Sequence, residues 1–127
     1  MADTTADLEK RLARTRQIKI SVTGRKSGAI ITIPVWFVLE GDTIYLLPVC
    51  GSDTQWFKNL EKNRSLGIST GGVEASFKPT LVRDPKAVKV VVEKFRAKYG
   101  AVDVKTYYRK FDVAVRIGLS HPASTAA

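Results

Sequence analysis

The sequence predicts a mainly β, α+β fold, a small barrel of about six mostly antiparallel strands with helices packed outside. Three observations carry that reading. Short segments alternate apolar and polar residues at the period of a half-buried strand, "QIKISVT" first among them. Glycine-containing turns join neighbouring apolar runs at hairpin spacing. One long segment, from Pro85, changes to the period of an amphipathic helix.

Taken in order, "DLEKRLARTRQ" reads as a short, charged N-terminal helix. "QIKISVT" follows as a strand with Ile18, Ile20 and Val22 on its buried side. A glycine-bracketed loop, "TGRKSG", leads into "IITIPVWFVL", apolar on both faces as in a central strand. Pro34 inside it calls for a bulge or a local edge, because proline cannot donate to a ladder. "GD" at 41–42 turns the chain into "TIYLLPV". In "CGSDTQWFKNLEKN", Ser52 or Asp53 is placed to cap a helix that buries Trp56, Phe57 and Leu60. "SLGIST", the turn "GG" and "VEASFKPTLV" make two further strands. After Pro85, Val88, Val91, Val92 and Phe95 share one helix face. The helix breaks at Gly100, restarts briefly through "AVDVKTYYRK", and "FDVAVRI" closes the fold as a strand. One domain is expected over 1–119, with a disordered tail over 120–127.

The charge narrows the partners. Lys and Arg number 21 against 12 Asp and Glu, a formal +9. Such a field favours an anionic partner without choosing among nucleic acid, lipid surface and a phosphate- or carboxylate-rich small molecule. The lone cysteine, Cys50, excludes an intramolecular disulfide. No apolar run approaches the roughly 20 residues of a membrane helix. No signal-peptide core opens the chain, so a cytoplasmic protein is expected.

The usual catalytic sets are missing. The single histidine, His121, sits in the tail, which argues against a histidine-based triad. No Cys/His cluster has metal-ligand spacing, so no metal is expected. Either the protein is a binder or a cofactor carries the chemistry. Three stretches are candidates. In the first loop, two glycines free the backbone, and Arg25, Lys26 and Ser27 offer a fork, a point charge and a hydroxyl to a phosphate. A plain basic hairpin tip has the same composition. In "GSDTQWFKNL", Gly51 and Ser52 would place amides at a helix N-terminus, and Trp56 and Asn59 share a face that could meet a flat heterocycle. Trp56 as simple core is the alternative. Tyr107 and Tyr108 beside Arg109 and Lys110 could wall a pocket and donate a hydroxyl, or merely pack a short helix. Cys50 reads as a small filler.

The order "TGRKSG", "IPVWFV", "GDTIYLL", "GSDTQWFKNLEKN" resembles the deazaflavin-dependent nitroreductase and quinone reductase family. That family belongs to the split β-barrel flavin-binding superfamily typified by pyridoxamine phosphate oxidase, and the likeness runs from about Ile18 to Ile117. It implies an 8-hydroxy-5-deazaflavin cofactor with a phosphodiester and an oligoglutamate tail. Arg25, Lys26 and Ser27 would lie near its phosphate, and Pro34 and Trp36 behind its ring. The Val49, Cys50, Gly51 and Ser52 backbone, with Trp56 and Asn59, would line the rest of the groove; Tyr107 and Tyr108 are the substrate-side candidates, although they do not align cleanly with the family's substrate-side tyrosines. Relatives often carry a basic residue where this chain has Ala29 to Ile31 and a basic or polar one where it has Val49–Cys50, which makes FMN the alternative cofactor. The implied activity is hydride transfer to a small electron-poor acceptor, such as a quinone, nitroaromatic or activated alkene, by a monomer or homodimer. Contact with a membrane would be peripheral. A basic nucleic-acid-binding barrel is the reading from another class. Against it, the basic residues spread through the helices and follow no one strand face, so no nucleic-acid partner is expected.

Overall fold

The computed structural model describes Leu12, Thr15 and residues 17–70 and 73–119. The expected N-terminal helix lies outside these residues apart from Leu12 and Thr15, as do the Gly71–Gly72 turn and the tail. Eight described strands form two four-stranded sheets, every pair antiparallel. They are β1 (Gln17–Thr23), β2 (Ile30–Trp36), β3 (Val38–Glu40), β4 (Thr43–Leu46), β5 (Leu66–Thr70), β6 (Val73–Phe77), β7 (Thr80–Val82) and β8 (Ala114–Gly118). Three described helices flank them: α1 (Gln55–Lys62), α2 (Pro85–Tyr99) and α3 (Ala101–Tyr107).

The sheet orders β2-β1-β5-β6 and β3-β4-β8-β7 explain the count. The expected strand "IITIPVWFVL" bends at Phe37, so β2 ends one sheet and β3 begins the other. "VEASFKPTLV" bends likewise at Lys78–Pro79, between β6 and β7. Six strands in chain order thus become eight segments, two of the six serving both sheets at opposite corners of a barrel. The bend corrects the central-strand reading of "IITIPVWFVL". β2 is an edge strand, its Ile30 and Ile31 are exposed, and Pro34 is tolerated there because an edge residue can turn its nitrogen away from the ladder.

The bend at Phe37 is held by α2. A chain that leaves one sheet before joining the next strands a buried N–H and C=O. The Phe37 N–H donates to the Tyr99 hydroxyl at 3.1 Å, and that hydroxyl donates back to the Phe37 carbonyl at 2.8 Å. Lys98 Nζ also donates to the carbonyl and sits 3.7 Å from the Phe37 ring centroid.

Two cores result. Inside the barrel, Ile18, Ile20 and Val22 meet Ile44, Leu46, Phe57, Leu66, Ile68, Phe77, Val115 and Ile117, with Leu12 buried among them. Outside the second sheet, Val88, Val91, Val92, Phe95 and Tyr99 of α2 pack with Val104 and Tyr108 on Val38, Leu47 and Ala114. Full burial of one such side chain stabilises by about 1.5–3 kcal/mol. "FDVAVRI" is a strand only from Ala114; Phe111 precedes β8 and is exposed. Asp84 caps α2 by accepting from the Ala87 N–H, with Pro85 in the first turn.

Candidate functional site

Where the two cores meet, a cleft of about 240 Å³ opens between β2 and the chain leaving β4. Ile33, Pro34, Val35 and Trp36 form one side, Leu47 and Val49 the other. Thr54 and Trp56 close it from α1, Tyr107 and Tyr108 from the end of α3, and Gln17 from β1. Six of the residues singled out in the sequence therefore converge here from separate segments: Pro34, Trp36, Val49, Trp56, Tyr107 and Tyr108. Among the described residues, no carboxylate, ammonium or guanidinium lines the cleft.

Its walls are aromatic. Trp36 stacks on Tyr99 at 4.2 Å with the ring planes 7° apart. Tyr107 lies 4.7 Å from Trp36, and Tyr108 meets Trp36 edge-on at 6.1 Å. Trp56 is buried, so the core reading holds for it, yet its ring also reaches the cleft. Burial raises the Tyr108 hydroxyl pKa well above its ordinary value, with Tyr99 and Tyr107 adding to the shift. That hydroxyl stays protonated across the working range and can serve as a donor. A larger depression of about 510 Å³ lies on the outer face of β1, β5 and β6. Its lining is mostly serine, threonine and small residues with no aromatic ring, and it holds none of the singled-out side chains.

The first loop does not line the cleft; it grips the helix that does. The Arg25 N–H donates to Asn59 Oδ1 at 3.1 Å, and the Arg25 guanidinium donates to Asn59 Oδ1 and Gln55 Oε1, each at 2.8 Å. Gln55 and Asn59 stand one helical turn apart on α1, next to Trp56. Every acceptor is neutral, so the guanidinium charge is not cancelled. The loop is also closed on itself. Gly24 N–H donates to Ala29 O, Gly28 N–H to Gly24 O and Ala29 N–H to Ser27 Oγ. Gly28, at φ 74°, supplies the turn's left-handed residue. Lys26 is exposed beside it.

The 49–52 segment differs more from expectation. Its backbone is engaged within the protein: Val49 O accepts from Arg109 N–H, Cys50 N–H donates to Thr54 Oγ1, and Gly51 N–H donates to Pro48 O. Only the Val49 side chain reaches the cleft. Gly51, Ser52 and Asp53 form a short 3-10 turn, and Thr54, not Ser52 or Asp53, takes the position before α1. The Ser52 N–H and hydroxyl both donate to the Asp112 carboxylate, at 2.9 and 2.5 Å. Asp112 therefore takes the place an anionic ligand was expected to hold. Burial raises the Asp112 pKa, but the two Ser52 hydrogen bonds and nearby Lys110 outweigh it and the net shift is downward. Lys110 also pairs with Asp53 at 3.1 Å, which raises its own pKa. Cys50 is partly exposed and bridges Lys110 through the backbone.

Sequence reasoning missed Tyr99, Leu47, Thr54 and Asp112. Tyr99 had a signal, since it continues the Val88–Phe95 helix face by one more turn. Among the described residues, no group of three His, Cys, Asp or Glu could hold a metal, and no helix is long and apolar enough to cross a membrane.

The fold is shared with solved structures of low identity. An F420-H2 dependent reductase, FDR-A, superposes with a TM-score of 0.62 at 15% identity, over 80% of this chain and 93% of that one. A candidate 5-nitroimidazole antibiotic resistance protein from Bacteroides thetaiotaomicron gives 0.67 at 15% identity, over 93% and 80%. HutZ, the haem storage protein from Vibrio cholerae, gives 0.67 at 12%, over 97% and 92%. The architecture shared with these structures is a split barrel. No curated protein sequence matches the chain. A family model does match, over residues 8–116, and the chain belongs to that family: DUF2255, described as an uncharacterized protein conserved in bacteria.

Proposed function

We propose that the protein is a reductase whose aromatic cleft holds the ring of a deazaflavin cofactor beside a small electron-poor acceptor. One observation carries the reading: Pro34, Trp36, Val49, Trp56, Tyr107 and Tyr108 meet in one aromatic-walled cleft that no charged side chain lines among the described residues. Its volume is below the roughly 300–1,000 Å³ of whole-ligand pockets, which suits a ring with its tail left outside. The F420-H2 dependent reductase of the same fold supports a deazaflavin. FMN presents a ring of similar shape and is the second reading. Haem-binding proteins share the fold as well. Among the described residues, however, no histidine, cysteine or methionine lines the cleft to serve as one of the commonest axial ligands.

When bound, the cofactor would supply the hydride chemistry. The chain's own residues do the rest. Trp36, Trp56 and Tyr107 bind and orient planar rings and keep water out. The Tyr108 hydroxyl, held neutral, can donate a hydrogen bond to an acceptor oxygen. Arg25, uncancelled in charge, and exposed Lys26 stand by α1, where an anionic tail leaving the cleft could be met.

Absorbance and fluorescence titration of the protein with an 8-hydroxy-5-deazaflavin, FMN and haemin tests the reading. Saturable deazaflavin binding that Lys26→Ala weakens by about 1–3 kcal/mol is the expected result. Tight haemin binding with no response to either of the other two would overturn it.

A further inference from the structure

The β3–β4 register, continued past its last rung, sets Trp36 opposite Leu47 and Pro34 opposite Val49. Those rungs are not made. β3 starts only at Val38 and β4 stops at Leu46. Pro34 has no N–H to give, and the Val49 carbonyl accepts instead from the Arg109 N–H at 2.7 Å. The seam opens there.

The open seam exposes a strand edge. Pro34 stands opposite Lys19 in the β1–β2 ladder and, lacking an N–H, belongs with its nitrogen turned away from β1. Backbone groups alternate sides along a strand, so the Pro34 carbonyl and the Trp36 N–H and carbonyl turn away from β1 too. The cleft lies along that edge. Four consecutive residues, Ile33 to Trp36, line it, whereas a strand seen from one face shows only every second side chain.

We propose that this missing pair of rungs is the polar half of the ligand site. The Pro34 carbonyl accepts from, and the Trp36 N–H donates to, the lactam edge of a planar ligand, one N–H beside one C=O. The inference rests on the cleft being a ring site and says how the ring is chosen. A pyrimidinedione edge fills the rungs, and a porphyrin has no such edge to offer. Unpaired backbone groups in an apolar cleft reject a ring that cannot satisfy them more strongly than an apolar wall could.

The test compares 8-hydroxy-5-deazariboflavin with its N3-methyl derivative, which keeps the ring and loses the lactam N–H. Titrations on the full chain are followed by fluorescence and by the backbone amide signal of Trp36 in heteronuclear NMR. At least tenfold weaker binding of the N3-methyl compound is expected, with the Trp36 amide proton moving downfield for the parent only. Equal binding of the two would overturn the lactam contact and leave the ring site standing. Binding of neither would overturn the ring site and this inference with it.

Discussion

Asn59 joins the two halves of the candidate site, and replacing it tests whether that joint is real. Its side chain is buried, and Oδ1 accepts both from the Arg25 N–H at 3.1 Å and from the Arg25 guanidinium at 2.8 Å. Asn59→Ala removes one neutral hydrogen bond, worth about 1 kcal/mol, and one charge-assisted bond, worth about 1.5–3 kcal/mol. Arg25 is half-exposed, so water recovers part of this, and a net loss of about 2–3 kcal/mol follows. For a chain of this size that corresponds to a fall of roughly 6–15 °C in Tm. Urea denaturation gives the free energy, provided that the slope m is unchanged. A cycle with Arg25→Ala should show coupling of about 1 kcal/mol or more between the two positions. Asn59→Asp separates stability from function, since it keeps the acceptor but cancels the guanidinium charge. It should fold as well as the parent while binding anionic ligands less tightly. A loss below about 0.5 kcal/mol for Asn59→Ala, or a fully additive cycle, would refute the joint.

Gly51 has φ 55°, and a Cβ there would stand 2.0 Å from Asp112 Oδ1, so Gly51→Ala should cost about 2–4 kcal/mol in urea melts and less when Asp112 is also Ala. Tyr99→Phe removes the hydroxyl that satisfies Phe37 at the strand bend; a loss of about 1–3 kcal/mol is expected, whereas a neutral result would contradict its role in holding the bend. The folded-state pKa of Asp112 is lowered, so its contribution is present above its unfolded value near 3.8 and is lost as pH falls through the folded value. Stability measured against pH should therefore drop at the acid end, and the gap between parent and Asp112→Asn should close there; a gap constant from neutral pH to pH 2 would contradict the assignment.

What the sequence made legible was local. Alternation in "QIKISVT" marked β1 at its true bounds, and the Val88–Phe95 spacing marked the buried face of α2. The six-strand barrel was legible too, but the two bends that give each shared strand to both sheets were not. An apolar run carries no mark of where its neighbours change, and Phe37 reads like any other core residue. At the site, the aromatic walls were visible as residue types. The Asp112–Ser52 contact was not, because 60 positions separate the pair and no periodicity links them. The same holds for Arg25. Its spacing between glycines suggests a phosphate, whereas its nearest partners are two side-chain oxygens of a helix 30 and 34 positions away.

The most direct test is to locate the bound ring by intermolecular nuclear Overhauser effects from the aromatic protons of an 8-hydroxy-5-deazaflavin. The account predicts cross-peaks to the side chains of Trp36, Trp56 and Tyr107. Cross-peaks to Ile30, Ser69 and Ser76 on the outer sheet face, with none to either tryptophan, would contradict it.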